Sequence, residues 1–487
     1  MHTASFSVLL KMMTRKSRSG CRSTICRLPL RAVLTLLLWP VMVSAQCDDR
    51  ADPSAAQLLD PPPATQTEAM AGPALMAGRE QLAALSKTAV LESPDIQAAG
   101  LARTATQFDI EQIRASKSPR LDSSITAGVG RYLSNVNPRY DPRAVGAAAL
   151  SLSAPLYDGG RIDALTRQRE EQFEASSASL DAVRERVALD ALLTVLDRNR
   201  FRTQLNVLEL HVTQLACLSN LIDRIVDADK GRASEQIQAR NSLRQAELVR
   251  DRTAAAMRYA DVRLQTILAG QVMPWPAVGA PLIEVPVLDD IVGKIRENPD
   301  VRQLQRQAEA QAFAAMAAAA ELYPQLRAEA GVSSKRQADR VDSRSWNAGI
   351  TLNYTFADGG ARAAAVNAAQ ARAQALRRTL DQAIVDRNQQ AGVLHDTALS
   401  AYRRAVQYSG LLRDSDSLRR ATYVQWASLG RRTLFDLMSA ENAHNSLHLD
   451  YVNAMFEGFS ATAQLRHVGG GLLTWLAPDL PAMSIRP

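Results

Sequence analysis

Two periodicities divide this chain. In short stretches apolar and polar residues alternate, and in long ones small or apolar residues recur every three or four positions. The alternation is plainest from Trp346 to Phe356. Trp346, Ala348, Ile350, Leu352, Tyr354 and Phe356 fall on one side; Asn347, Gly349, Thr351, Asn353 and Thr355 fall on the other. Leu121, Ser123, Ile125, Ala127 and Val129 alternate in the same way with Asp122, Ser124, Thr126, Gly128 and Gly130. A third set puts Leu150, Leu152, Ala154 and Leu156 on one side, and a fourth alternates Leu326, Ala328, Ala330 and Val332 with Arg327, Glu329 and Gly331. The pattern predicts four strands in two hairpins, over about 121–132, 144–156, 326–333 and 345–356.

The longer period is seen at Ala391, Leu394, Ala398, Ala401, Ala405, Tyr408 and Leu412. Such a seam of small side chains suits close helix packing. It predicts long helices over about 161–226 and 361–428, each on the order of 100 Å. Return helices follow over about 232–269 and 433–467.

The chain repeats itself. "SPDIQAAG" from Ser93 resembles "NPDVRQLQ" from Asn298, and "SPRL" from Ser118 matches "YPQL" from Tyr323, both at an offset of 205. "YDGGR" from Tyr157 answers "ADGGAR" from Ala357 at 200, and Gly231-Arg232 answers Gly430-Arg431 at 199. The order is the same in both halves, as expected of a duplicated unit. The first unit spans 74–270 and the second 293–468, with a Pro-rich linker, 271–292, between them. Each reads as helix, two strands, long helix, turn, long helix. Segments 46–73 and 469–487 read as loosely held ends.

At the junctions the chemistry is conformational. Pro119 and Pro324 stand where a helix must give way to a strand. Asp158 and Asp358 can accept backbone N–H bonds where the long helices begin, and Gly159, Gly160, Gly359 and Gly360 let the chain turn sharply. A phosphate loop would need a wider glycine pattern than this. At the far ends, Gly231 and Gly430 suit tight turns between paired helices.

Charge changes the picture less than its total suggests. The formal net charge is +7, yet residues 1–45 hold seven Lys and Arg and no acid, so the rest of the chain is neutral. A basic, nucleic-acid-binding protein is therefore not indicated. Residues 1–45 read instead as a secretory signal: a basic region to Arg31, an apolar run from Ala32 to Val43, and small residues before Gln46. The run is short for a membrane anchor. Gln46 before Cys47 departs from the small residue that lipid attachment requires. Cleavage would leave Cys47 and Cys217, too few for a disulfide framework.

Strands of about ten alternating residues fit a tilted crossing of hydrocarbon. Lipid tolerates no open sheet edge, and four strands cannot close around a lumen, so several copies must pool their strands. A soluble sheet would need a cover for its second face.

These features together resemble the TolC family of outer-membrane channels. The resemblance rests on the two halves, "SPD"/"NPD", "LYDGGR", "FADGGAR" and, most specifically, "SLGRRTLFDLMSAENAHNSL" from Ser428. It implies a mainly α chain with a transmembrane β portion. Three subunits would form a twelve-stranded barrel on a long periplasmic coiled-coil tunnel. It implies that Asp436 and Arg432 occupy pore-gate positions, with Gly231, Arg232, Gly430, Arg431 and Thr433 at the helix tips where a periplasmic adaptor docks. Ser439 and Ala427 stand where the best-known member has a second aspartate and a constricting tyrosine. The implied partners are sister subunits, an adaptor, an inner-membrane ABC exporter or other pump, an exported protein cargo and outer-membrane lipid. No cofactor, metal, nucleic acid or enzymatic reaction is implied.

His444 and His448, one helical turn apart, could form a metal pair, but Asn445 stands where a zincin has Glu, and the alternative reading is a helix surface. The unlipidated start favours the outer-membrane channel of a type I secretion system, exporting a protein such as a repeat-in-toxin polypeptide or hemolysin. The alternatives are the outer component of a drug efflux pump and, in another class, a periplasmic adaptor.

Overall fold

The computed structural model describes residues 67–130, 143–270, 282–337 and 343–476, all within one compact unit, Asp49–Pro487. The expected leader and Cys47 lie outside the described residues. In order, the chain forms α1 (Thr67–Glu92), α2 (Pro94–Ala115), β1 (Arg120–Gly130), β2 (Arg143–Tyr157) and α3 (Arg161–Ala228). A short 3₁₀ turn, Lys230–Arg232, leads to α4 (Ala233–Ile267) and α5 (Leu288–Lys294). Then come α6 (Pro299–Ala320), β3 (Gln325–Gln337), β4 (Ser343–Asn353), α7 (Ala361–Ala427), α8 (Leu434–Val468) and α9 (Leu472–Leu476). Thus α2–β1–β2–α3–α4 and α6–β3–β4–α7–α8 are two copies of one plan.

The four strands make one sheet in the order β1-β2-β3-β4, every pair antiparallel. Directly opposed residues share a face. The register sets Leu121 against Leu152, Leu152 against Ala330, Leu150 against Val332, Val332 against Trp346, and Ala328 against Ile350. The other face carries Asp122 opposite Ser151, Ser153 opposite Glu329, and Arg327 opposite Thr351. One face is therefore apolar and the other polar across all four strands. Among the described residues nothing covers the apolar face: Ile125 is 87% exposed and Trp346 79%. Pro155 sits where β2 shifts register against β3, a position that tolerates its missing N–H.

Two strand boundaries differ from the sequence expectation. β4 stops at Asn353, although the alternation runs on through Tyr354 and Phe356. Asn353 pairs with Gln325, and the next residue of the partner strand would be Pro324, which has no N–H to give. Conversely, β3 continues to Gln337, because its polar end "SSKRQ" still pairs with β2. That stretch does not alternate, which is why the expected strand ends at 333.

The two long helices run unbroken for 68 and 67 residues. Ala391, Ala398, Ala401 and Ala405 are at most 2% exposed, and the small side chains let α8 lie close on α7.

Two short parts of the segments expected to be loose are ordered helix. Residues 67–73, expected to be loose, already belong to α1, whose Leu82, Leu85 and Ala89 are buried. Within the tail expected over 469–487, Leu472–Leu476 form α9, and 477–487 lie outside the described residues. Leu472 and Leu476 enter a core with Leu82, Leu192, Leu196, Leu282 and Phe459. Arg79 Nε donates to the Trp475 carbonyl (2.8 Å), the Arg466 guanidinium lies 4.3 Å over the Trp475 ring, and the Leu473 N–H donates to buried Glu185 (3.2 Å). The linker expected over 271–292 ends inside α5. Its Leu282 carbonyl accepts the Tyr402 hydroxyl (2.6 Å).

Candidate functional site

Four chain reversals hold the residues singled out in the sequence. The two strand-to-helix turns are built alike. Asp158 accepts from the Gly160 N–H (3.0 Å) and the Ile162 N–H (2.6 Å). Asp358 accepts from Gly360 (2.9 Å) and Arg362 (3.1 Å). Those backbone donors, Arg362 first, hold the Asp358 carboxyl below its usual range. Gly159, Gly160, Gly359 and Gly360 all have φ between 66° and 90°, which ordinary side chains resist. Pro119 and Pro324 immediately precede β1 and β3, where the reverse transition occurs.

The two helix tips are built differently. At the first, Asp229 Oδ1 accepts from the Gly231 N–H (3.0 Å), closing the 3₁₀ turn. Gly231 sits in this tight turn without a positive φ, and the Asp229 side chain shapes it. Arg232 reaches forward to Glu235 through two bonds, at 3.1 and 2.9 Å. At the second tip Gly430 does take a positive φ, 60°. The Arg431 N–H then donates to the Gln425 carbonyl (3.0 Å), and Arg432 Nε donates to the Gln425 side chain (3.2 Å).

Thr433 and Asp436 form a capping box at the start of α8. The Asp436 N–H donates to the Thr433 hydroxyl oxygen (3.2 Å), and the Asp436 carboxylate accepts from the Thr433 N–H (3.0 Å) and hydroxyl (2.9 Å). The Thr433 backbone donor, then its hydroxyl, then the Arg432 charge hold the Asp436 carboxyl below its usual range. The structure thus joins Asp436 to Thr433 and Arg432 to Gln425. Arg432 acts on Asp436 only through its charge. Beneath the turns, Leu434, Leu437, Met438 and Trp426 pack with Leu218, Ile222, Val226 and Ala239, so both tips share one apolar core. Leu429 and Phe435 stand exposed beside them.

A polar cluster behind the second tip was missed in the sequence. His444 and His448 are not helix-surface residues: both are half-buried, with rings 4.7 Å apart. His444 Nδ1 lies 2.5 Å from the Ser415 hydroxyl of α7. His211 of α3 is 5% exposed and hydrogen-bonds Asn442. Arg419 joins Asp416 (2.9 Å) and Glu441 (3.5 Å), and Arg420 also meets Asp416 (2.6 Å). Burial is the first cause that pushes His211 and His448 down to about 4. The signal was available: Glu441, His444 and His448 step by three and four, like the apolar seam.

A model of the outer membrane efflux protein family matches residues 85–270 and 294–421, most of the first repeat and the second as far as α7. The chain belongs to this family. As an outer membrane efflux family protein it is an outer-membrane channel component rather than a member of an enzyme family. Part of the chain is 35% identical over 95 residues to the alkaline protease secretion protein AprF of Pseudomonas aeruginosa, 19% of either chain. Another match is 36% over 80 residues to the proteases secretion protein PrtF of Dickeya chrysanthemi, 16% of either chain. The matches therefore span less than a fifth of the length of these curated relatives. Among solved structures, the outer membrane channel CmeC of Campylobacter jejuni superposes with a TM-score of 0.70 at 13% identity, covering 81% of this chain and 86% of that one. That likeness establishes the fold of this outer membrane efflux family protein.

Proposed function

We propose that this protein is the outer-membrane channel-tunnel of a type I secretion system. It gives an exported polypeptide its passage out, with an inner-membrane ABC exporter and a periplasmic adaptor. The observation that carries the reading is the pair of matches at 35% and 36% identity to proteins named for protease secretion. The sheet supports the assembly part. β1 and β4 each have one edge without a strand partner among the described residues, and the apolar face is bare. In lipid both needs are met if three copies join into a twelve-stranded barrel, polar face inward. The chain then performs no reaction, and the driving energy comes from the pump. Two long helical hairpins in one chain with a membrane-type sheet count against the periplasmic adaptor reading. The family's description keeps drug efflux as the second reading.

Complementation separates the two. The full-length gene, expressed in a strain lacking a protease-secretion outer-membrane component, is expected to restore protease to the medium. Restoration only of drug resistance in an efflux-deficient strain would assign it to efflux instead.

In the same reading, Asp436 forms a ring of three carboxylates at the tunnel's inner end, which favours cations. Asp436→Ala is expected to reduce cation selectivity in planar bilayers, and unchanged reversal potentials would remove Asp436 from the pore. Arg432→Ala loses the bond to Gln425 across the turn and is expected to raise the resting conductance. An unaltered baseline would show that this bond does not hold the tip.

A further inference from the structure

The turn at Thr433 is backed by a core that changes character along α8. Next to the turn it is apolar, through Leu434, Leu437 and Met438. Between about 12 and 22 Å further along it is polar and ionisable. There α8 presents Glu441, His444 and His448; α7 presents Ser415, Asp416, Arg419 and Arg420; α3 presents His211. The Asn445 Oδ1 is buried there without a hydrogen-bond partner among the described residues. His444 acts electrostatically on both His211 and His448. Asp416 favours a charge on His448 and Arg419 opposes it. Among the described residues no α4 group acts on His211 or His448. This is an expensive way to join three helices. An apolar continuation would hold them at any pH, whereas here burial opposes a charge on His211 and His448.

We infer that the cluster of His211, His444 and His448 is an acid-sensitive latch. It keeps α3, α7 and α8 packed behind the second turn near neutral pH and releases them as protons bind. The inference rests on the reading of this turn as the tunnel's inner end. Burial is the main reason that His211 and His448 resist protonation in the packed state, down to about 4, against 6.5 for a hydrated histidine. The loosened state therefore binds more protons between those limits. The packing is at full strength above 6.5, weakens as pH falls, and reaches its lowest value near 4. At pH 5 each of these two histidines shifts the balance toward the loosened state by about thirtyfold. A protonated His448 is also opposed by the Arg419 charge.

The test is hydrogen exchange on the full-length assembled protein in detergent, corrected for the intrinsic pH dependence of exchange. Protection of 205–216, 410–426 and 441–450 is expected to fall by at least tenfold from pH 7.5 to pH 5, with a midpoint between 4 and 6.5. The double variant His211→Gln/His448→Gln is expected to keep its protection at pH 5. Equal wild-type protection at both pH values, a midpoint outside that window, or an equal drop in the double variant would overturn the latch. If the double variant does not assemble, each single variant is expected to show about half of the drop on a logarithmic scale; a full drop in both singles would overturn it too. Planar-bilayer conductance at pH 7.5 reports separately on the channel reading. A conducting protein without the pH step loses the latch alone, and a non-conducting protein with the step loses the channel alone.

Discussion

Thr433 and Asp436 show why a residue's identity and its job differ. The family resemblance marks Asp436 as a gate carboxylate. Its observed bonds are those of a helix cap, made with Thr433. Thr433→Ala removes the side-chain half of the box and is expected to cost about 1 kcal/mol of local stability. That should appear as roughly fivefold faster amide exchange over Leu434–Leu437 at pH 7.5. The pH dependence has a definite sign. Asp436 titrates below its usual value, so its contribution is fully present above 3.8 and is lost only as pH falls through the lowered value. The cap therefore survives at pH 5, where the histidine cluster behind it begins to take up protons. A cap lost at pH 5 along with the deeper packing would show that Asp436 is not held by Thr433 in solution.

At the scale of elements, the internal repeat invites the assumption that equivalent turns are equivalent in energy. They are not. Gly159 and Gly359 have φ of 66° and 67°, so alanine is strained at either by about 1 kcal/mol. At Gly159 an added Cβ would also come within 2.9 Å of the Ala320 carbonyl oxygen and the Tyr323 Cβ, while at Gly359 it would meet nothing within 4 Å. Gly159→Ala is therefore expected to lower the thermal midpoint of the assembled protein by several degrees more than Gly359→Ala. Equal midpoints would mean that α6 yields at no cost. This difference explains what the sequence could and could not convey. Periodicity located both hairpins and both long helices because burial repeats along an element. The Asp-Gly-Gly motifs were legible because glycine is specific for positive φ. Gly231 marked a turn but not its shape, which the Asp229 side chain sets. α9 was invisible because its burial depends on Leu82 and Leu192, which are hundreds of residues away in sequence. The histidine cluster was half visible: its α8 spacing could be read, but not its contacts with α3 and α7.

For the whole molecule the decisive object is a sheet that one chain leaves unfinished. Its apolar face runs from Trp346 near the loop end toward Leu352 near the helices, and its polar face lies behind it in strict register. Adjacent positions on β4 should therefore respond oppositely to the same charge. Ile350 faces the side proposed to meet lipid and is 67% exposed; Thr351, opposite Arg327, faces the proposed lumen. Ile350→Arg places a guanidinium in hydrocarbon and is expected to cost about 2–4 kcal/mol per subunit, felt three times in a trimer. Thr351→Arg meets water and is expected to cost far less, although it adds charge beside Arg327. Semi-native gels of the extracted protein read this directly, with Ile350→Arg expected to lose the heat-labile oligomer and Thr351→Arg to retain it. If both variants assemble equally well in lipid, the apolar face does not meet hydrocarbon. The same result would leave the free edges of β1 and β4 without the membrane that makes their closure necessary.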